Sequence, residues 1–202
     1  GGVVLSPKIL NVPNTLSLVR VFLAPLVLLF LSLRISAPVP FLSLDGAEPL
    51  TLGDLLAAVV FIIAAITDSM DGYIARKHHL ITTLGKFIDP LADKVLVIAA
   101  MIALVELQRI PGWIVLVIIT REFVVTGLRL VAAAEGVVIA ASKGGKLKTV
   151  FQIVALAMLI LKLPGGMALM WVAMILTVWS GMEYLIDGSR MLLNAEEDAR
   201  GR

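Results

Sequence analysis

The chain has no cysteine, only two histidines, and few charged residues, 16% of its 202 positions. Without cysteine there is no disulfide framework and no thiolate metal site. The two histidines, His78 and His79, are adjacent in a basic stretch and read as solvated loop residues, not as metal ligands. A soluble domain is roughly a quarter charged and half apolar. Here 59% of residues are hydrophobic and the mean hydropathy is +1.01, so the composition excludes an ordinary soluble domain and predicts an integral membrane protein. The net charge of +2 arises from few groups, so their placement is more informative than their sum. There is no internal repeat or low-complexity tract, and no nucleic-acid partner is expected.

What the chain does have is a series of long apolar runs. Residues 1–14 are short, mixed and proline-containing, and read as a small interfacial segment at the membrane surface. The first span covers residues 16–35; it lacks a strongly basic leader and a small-residue cleavage site, so it reads as a retained helix. After a proline-rich acidic loop, spans follow at about residues 52–75, 87–107, 113–134, 150–163 and 167–186. Each is near the ~20 residues that cross a bilayer, except the fifth, which is short unless it begins before Val150. The expectation is an all-α, polytopic protein: six transmembrane helices in a catalytic domain over residues 15–190, with a tail at 191–202.

Six spans put both termini on one side. That side carries Lys8, Arg76, Lys77, Lys86, Lys143, Lys146, Lys148, Arg190, Arg200 and Arg202, whereas the other has only Arg34, Arg109 and Lys162. The positive-inside rule therefore places the termini on the cytoplasmic side of the cell (inner) membrane. Arg20, Lys94, Arg121 and Arg129 fall inside the spans. Trp113, Trp171 and Trp179 read as markers of the membrane interfaces.

Against this apolar background one stretch stands out, DSMDGYIARKHHLITTLGKFIDPLAD, residues 68–93. Asp68 and Asp71 are three apart and Asp89 and Asp93 four apart, so on two helices each pair projects from one face. Four carboxylates gathered in a low-dielectric setting repel one another, and they either take up protons or recruit cations. Two divalent ions balance four aspartates, and oxygen-only ligands suit Mg²⁺ or Mn²⁺ better than zinc. The plainer reading is that Asp68 and Asp71 cap or solvate a helix end.

The eight positions Asp68, Asp71, Gly72, Ala75, Arg76, Gly85, Asp89 and Asp93 form the string D-x2-D-G-x2-A-R-x8-G-x3-D-x3-D, which resembles the signature of the CDP-alcohol phosphatidyltransferase family at every defined position. The segments NVPNTLSLVRVFLAPL, DPLADKVLV, REFVVTGLRLVAAAEG and GGKLKT are similar to the bacterial phosphatidylglycerophosphate synthase branch of that family, from Asn11 to Thr149. The last third is merely hydrophobic and supports no branch. The resemblance implies transfer of a phosphatidyl group from CDP-diacylglycerol to glycerol-3-phosphate, and a homodimer in the lipid bilayer with its active site facing the cytoplasm. It implies Asp68, Asp71 and Asp89 as ligands of two divalent cations, with Asp93 touching the second and acting as general base.

The small residues Gly72, Ala75 and Gly85 suit helix packing, and equally the close approach of a cytidine. Arg76, read as lying just past the helix end, is either a positive-inside anchor or a partner of the donor's phosphates. Asn14 and Thr15 are helix caps by default; the resemblance adds a CDP contact.

A second constellation lies in the fourth span, where Arg121, Glu122, Thr126 and Arg129 recur at helical spacing. Charges at such depth face an aqueous cavity or one another. Arg121 and Glu122 form either a self-neutralising pair or, with Arg129, Lys146 and Lys148, part of a pocket for an acceptor phosphate. Both lysines come from SKGGKLKT, whose glycines suggest a tight turn and whose order is not that of a P-loop. The alternative within the family is a sibling enzyme with another acceptor, such as inositol phosphate, serine or phosphatidylglycerol; the basic residues of the fourth span and of KGGKLK discriminate, because a neutral acceptor needs no phosphate pocket. From other classes, a cation transporter also places carboxylates inside a membrane, and a diphosphate hydrolase replaces the alcohol by water.

Overall fold

The computed structural model describes the backbone of residues 12–33, 39, 49–77, 83–134 and 143–200, and side chains within these except at 12–14, 16–17, 68–77, 83–93, 134, 143 and 191–200. The described residues form six α-helices and no β-strand: α1 (Val12–Ser32), α2 (Leu52–Lys77), α3 (Thr83–Glu106), α4 (Gly112–Ala134), α5 (Lys143–Ile160) and α6 (Gly166–Arg200). The all-helical expectation holds, with one helix for each expected span. The interfacial segment expected before α1 lies outside the described residues up to position 11.

Several boundaries differ from the sequence reading: α1 spans residues 12–32 where 16–35 is expected, α3 begins at 83 and not 87, and three more bear on the site and the tail. Helix α2 continues to Lys77, so Arg76 is in its last turn and not beyond it. Helix α5 begins at Lys143, so KGGKLKT of the expected glycine-hinged loop forms about its first two turns. Two glycines there cost less than in a helix interior, because a first turn has few backbone bonds to lose. Helix α6 runs 35 residues to Arg200, through the stretch expected as a tail.

The chain divides into two compact units. The first comprises residues 1–109 with 156–164, the second residues 110–155 with 165–202. In the first, α1 packs against both α2 and α3, and α2 also touches α3. The stripe Arg20, Ala24, Val27 and Leu31 is the buried face of α1, at helical spacing. Ala57, Ala58, Phe61 and Ala64 are buried on α2, and Leu96, Ala100, Met101, Ala103 and Leu104 on α3. So many alanines let helix backbones approach closely, which is how helices associate where lipid offers no hydrophobic drive. Pro25 removes one backbone bond from α1, but on the exposed side of the helix.

The outer faces are as apolar as the inner ones: Phe22, Val59, Ile63, Ile66 and Ile102 are all exposed. A helix that is hydrophobic all round belongs in a core or in a membrane.

One end of the first unit is fixed by polar groups. Thr51 caps α2: its Oγ1 accepts from the Asp54 amide at 3.2 Å, while the Asp54 carboxylate accepts from the Thr51 amide and hydroxyl at 3.1 and 2.8 Å. Asp54 also binds Arg109 at 2.7 Å and Lys162 at 3.4 Å. Both cations close helix ends. Gln108 and Lys162 adopt left-handed φ values of 58° and 55°. The following amides, of Arg109 and Leu163, donate back to Leu104 and Met158 oxygens at 2.8 Å each, the pattern of a helix-terminating turn. Arg109 further donates to the Leu159 and Ile160 carbonyls, satisfying the end of α5.

In the second unit α4 packs against α6. Met170, Ala173, Thr177, Ser180 and Tyr184 form the buried stripe of α6, and Val125, Ala132 and Tyr184 cluster together with Leu128. Trp113 and Trp171, near the starts of α4 and α6, meet edge to face at 5.2 Å between centroids and stay partly exposed. Among the described residues, Gly166–Arg190 is long and apolar enough to cross a membrane; Leu18–Ser32 and Leu52–Thr67 are shorter apolar stretches.

Candidate active site

The signature aspartates stand where two helices begin and end. Asp68 and Asp71, with Gly72, Ala75 and Arg76, occupy the last three turns of α2. Gly85, Asp89 and Asp93 occupy the first three turns of α3. Both helices belong to the first unit, touch each other, and pack on α1. The side chains of these eight residues, and residues 78–82 with His78 and His79, lie outside the described residues. Helicity on both stretches is what the three- and four-residue spacings require if each pair is to share a face.

The signature's potential donors are carboxylates, and neither helical stretch contains a cysteine or a histidine. Such oxygen-only donors fit hard divalent cations of the Mg²⁺ or Mn²⁺ type. Among the described side chains no three acidic or histidine groups converge; the four aspartates, whose side chains lie outside that set, remain the candidate ligands that the sequence names.

Asn14 and Thr15 do not cap α1. The helix begins at Val12, and Pro13 is tolerated in its first turn, so both residues stand inside that turn; Thr15 is exposed and the Asn14 side chain lies outside the described set. Arg20, which the sequence marks only as a charge inside a span, is 1% exposed on the face of α1 that packs into the unit. Its signal was available: a lone arginine in an apolar helix needs a polar destination.

The second unit brings Arg121, Glu122 and Lys148 together. Arg121 donates from Nη1 to Glu122 Oε1 at 3.0 Å, from Nε to the Thr177 carbonyl at 3.1 Å, and from Nη2 to Ser180 Oγ at 2.8 Å. Its guanidinium carbon lies 5.6 Å from the centroid of the Tyr184 ring. Lys148 Nζ donates to the same Glu122 oxygen and is 4% exposed. One carboxylate thus serves two cations from α4 and α5, and the Arg–Glu pairing read from the sequence is present.

Arg129 and Lys146 are exposed instead, and Gly127 has open space around it. Of the four cations singled out for an acceptor phosphate, two are therefore anchored on Glu122 and two are accessible. Arg121 also borders an apolar groove lined by Leu116, Val124, Val178, Met182 and Leu185.

Comparison with known proteins bears on both units. The family model described as CDP-alcohol phosphatidyltransferase matches residues 10–179. A CDP-diacylglycerol–glycerol-3-phosphate 3-phosphatidyltransferase of Bacillus subtilis is 46% identical over 183 residues, covering 86% of this chain and 93% of that one. A protein of the same name from Escherichia coli is 37% identical over 195 residues, 91% of this chain and 98% of that one. A probable phosphatidylglycerophosphate synthase of Mycobacterium tuberculosis is 37% identical over 188 residues, 91% and 84% respectively.

Proposed function

Because the chain belongs to the CDP-alcohol phosphatidyltransferase family, we propose that it transfers the phosphatidyl group of CDP-diacylglycerol to sn-glycerol-3-phosphate, giving phosphatidylglycerophosphate and CMP. The observation that carries this reading is the full eight-position signature, set on two adjoining helices of a chain 46% identical to a relative named for that reaction. The chain is a transferase of phospholipid synthesis.

Asp68, Asp71 and Asp89 are the proposed metal ligands, with Asp93 as a further ligand of the second of two Mg²⁺ or Mn²⁺ ions. Such a pair supplies charge neutralisation for a pyrophosphate and stabilises its departing phosphate. Asp93, four residues and about one turn beyond Asp89, takes the proton of the acceptor's C1 hydroxyl as general base. The hydroxyl oxygen forms a bond to the β-phosphorus, the one that bears diacylglycerol. The bond from that phosphorus to the bridging oxygen breaks, and CMP leaves with its electron pair. The chain has no cysteine nucleophile, which favours this single displacement over a covalent intermediate.

Arg76 pairs with the donor's phosphates by charge-assisted hydrogen bonds. Gly72, Ala75 and Gly85 leave room for the cytidine, with Asn14 and Thr15 as further contacts. Arg129 and Lys146, both exposed, lead the assignment for the acceptor's phosphate. Arg121 and Lys148 belong to it as the charges that Glu122 orders.

All six helices are proposed to cross the cell membrane, with the termini and aspartates on the cytoplasmic side, in a homodimer. The apolar outer faces and the distribution of basic residues support this topology.

The test is CMP release from CDP-diacylglycerol by the purified full chain with Mg²⁺ or Mn²⁺. Glycerol-3-phosphate is compared with no acceptor, inositol phosphate and serine. Release that requires glycerol-3-phosphate and yields phosphatidylglycerophosphate is the expected result. Release only with another alcohol replaces the acceptor; release without any alcohol indicates a hydrolase; none at all, alongside metal flux in proteoliposomes, indicates a transporter.

A further inference from the structure

Arg20 belongs to none of the roles above, yet it is the largest buried polar side chain described in the first unit, 1% exposed in a helix that is otherwise apolar around it. Burial of a guanidinium in an apolar interior is unfavourable unless other charges compensate it. Its height in the unit can be read from the helix register. Ser32 Oγ donates to Glu106 at 3.3 Å, so the C-terminal ends of α1 and α3 stand level, and the two helices pack along each other in the same sense. Counting back twelve residues leads from Ser32 to Arg20 on α1 and from Glu106 to Lys94 on α3. At ~1.5 Å per residue both positions are ~18 Å from the paired ends. Asp93 directly precedes Lys94, and Asp89 is one turn further along. The buried arginine is thus at the level of the second aspartate pair, on the helix that packs against both aspartate-bearing helices.

Charge balance says what it does there. Four aspartates carry four negative charges; Arg20 and Lys94 offset two of them. Two divalent cations then leave an excess of two positive charges, which matches the two negative charges of a pyrophosphate diester. Without the two fixed cations, the metal-loaded cluster is neutral before the donor arrives. We propose that Arg20 is a positioning residue that sets this balance: it weakens the cluster's hold on divalent cations and leaves the loaded site positive enough to bind the donor's pyrophosphate. The proposal rests on the metal and pyrophosphate reading given above.

A purely structural arginine and a charge-balancing one differ in the sign of their effect on metal affinity. In the full-length detergent-purified chain, Arg20→Met is expected to bind Mn²⁺ about tenfold more tightly by calorimetric titration, since a like charge near the cations is removed. Its melting temperature falls in EDTA and recovers more on adding Mn²⁺ than the parent's does. The KM for CDP-diacylglycerol rises, while that for glycerol-3-phosphate does not. Arg20→Lys keeps the charge and keeps the parent's Mn²⁺ affinity.

Lys94→Met, at a half-buried position, moves Mn²⁺ affinity in the same direction and serves if Arg20→Met does not fold. Mn²⁺ binding that is unchanged or weaker in the neutral variants overturns the proposal. Calorimetry and melting need no turnover. A protein that shows the metal shift but releases no CMP therefore sustains the role of Arg20 while overturning the proposed reaction.

Discussion

Gly181 lies directly against the side chain of Arg121: a Cβ placed on Gly181 would stand 2.8 Å from Arg121 Cγ and 3.3 Å from its Nε. The crowded atom is near the root of the arginine, not its flexible end, and the guanidinium beyond it is held by Thr177, Ser180 and Glu122. Gly181→Ala must therefore displace Arg121 or separate α4 from α6. Overpacking of this kind costs about 1–3 kcal/mol. The expected outcome is a lower melting temperature, whereas Gly127→Ala, inside α4 where a Cβ meets nothing within 4 Å, should hold or raise it because alanine is the better helix former.

Glu122 serves two cations, so its removal and the removal of either cation are unequal. Glu122→Gln leaves Arg121 and Lys148 facing each other without their shared counter-charge. Lys148→Met leaves the Arg121–Glu122 contact at 3.0 Å in place. Glu122→Gln should destabilise by about 2–4 kcal/mol, more than Lys148→Met, because it strands buried charge. The double variant should lose less than the sum of the two, and denaturant melts of the four proteins measure that coupling.

How much of this was legible in the sequence depends on the kind of signal. Apolar runs gave the helices nearly to the residue for α2 and α4, because continuous hydrophobic length is sufficient to mark such elements. That the two aspartate-bearing stretches are helical was legible because the three- and four-residue spacings suit one face of a helix. The start of α5 was not: Gly144 and Gly145 signal a loop, and only the burial of Lys148 on Glu122, 26 residues away in sequence, favours a helix there. The same long-range pairing separated Lys148 from Lys146, two residues apart and alike in type, into a buried anchor and an exposed charge. Arg20 was visible as a charge in a span, but its level with Asp93 needed the Ser32–Glu106 contact.

The Asp54 knot is the converse of the aspartate site. Asp54 is fourteen residues before Asp68 on α2, about 21 Å along the helix, and its carboxylate is spent on the Thr51 cap and on Arg109 and Lys162. Asp54→Asn removes a charged cap and two ion pairs, at an expected cost of about 2–4 kcal/mol. The melting temperature should fall, with and without Mn²⁺ alike, while the metal concentration for half-maximal activity stays put. A shift in that concentration would show the two ends of α2 to be coupled.

Asp93 carries the sharpest test of the proposed chemistry, because it is assigned both a proton and a share of a cation. Asp93→Asn keeps the shape and one ligating oxygen but cannot accept the hydroxyl proton, and loss of a general base lowers turnover by about 10²–10⁴-fold. Asp89→Asn, a ligand without a proton to take, should instead raise the metal concentration needed for half-maximal rate, with turnover recovering at high Mn²⁺. Measuring kcat and metal dependence for both variants separates the roles: an Asp93→Asn enzyme whose turnover is fully restored by added metal would make Asp93 a ligand only. The base would then have to be sought elsewhere in the chain.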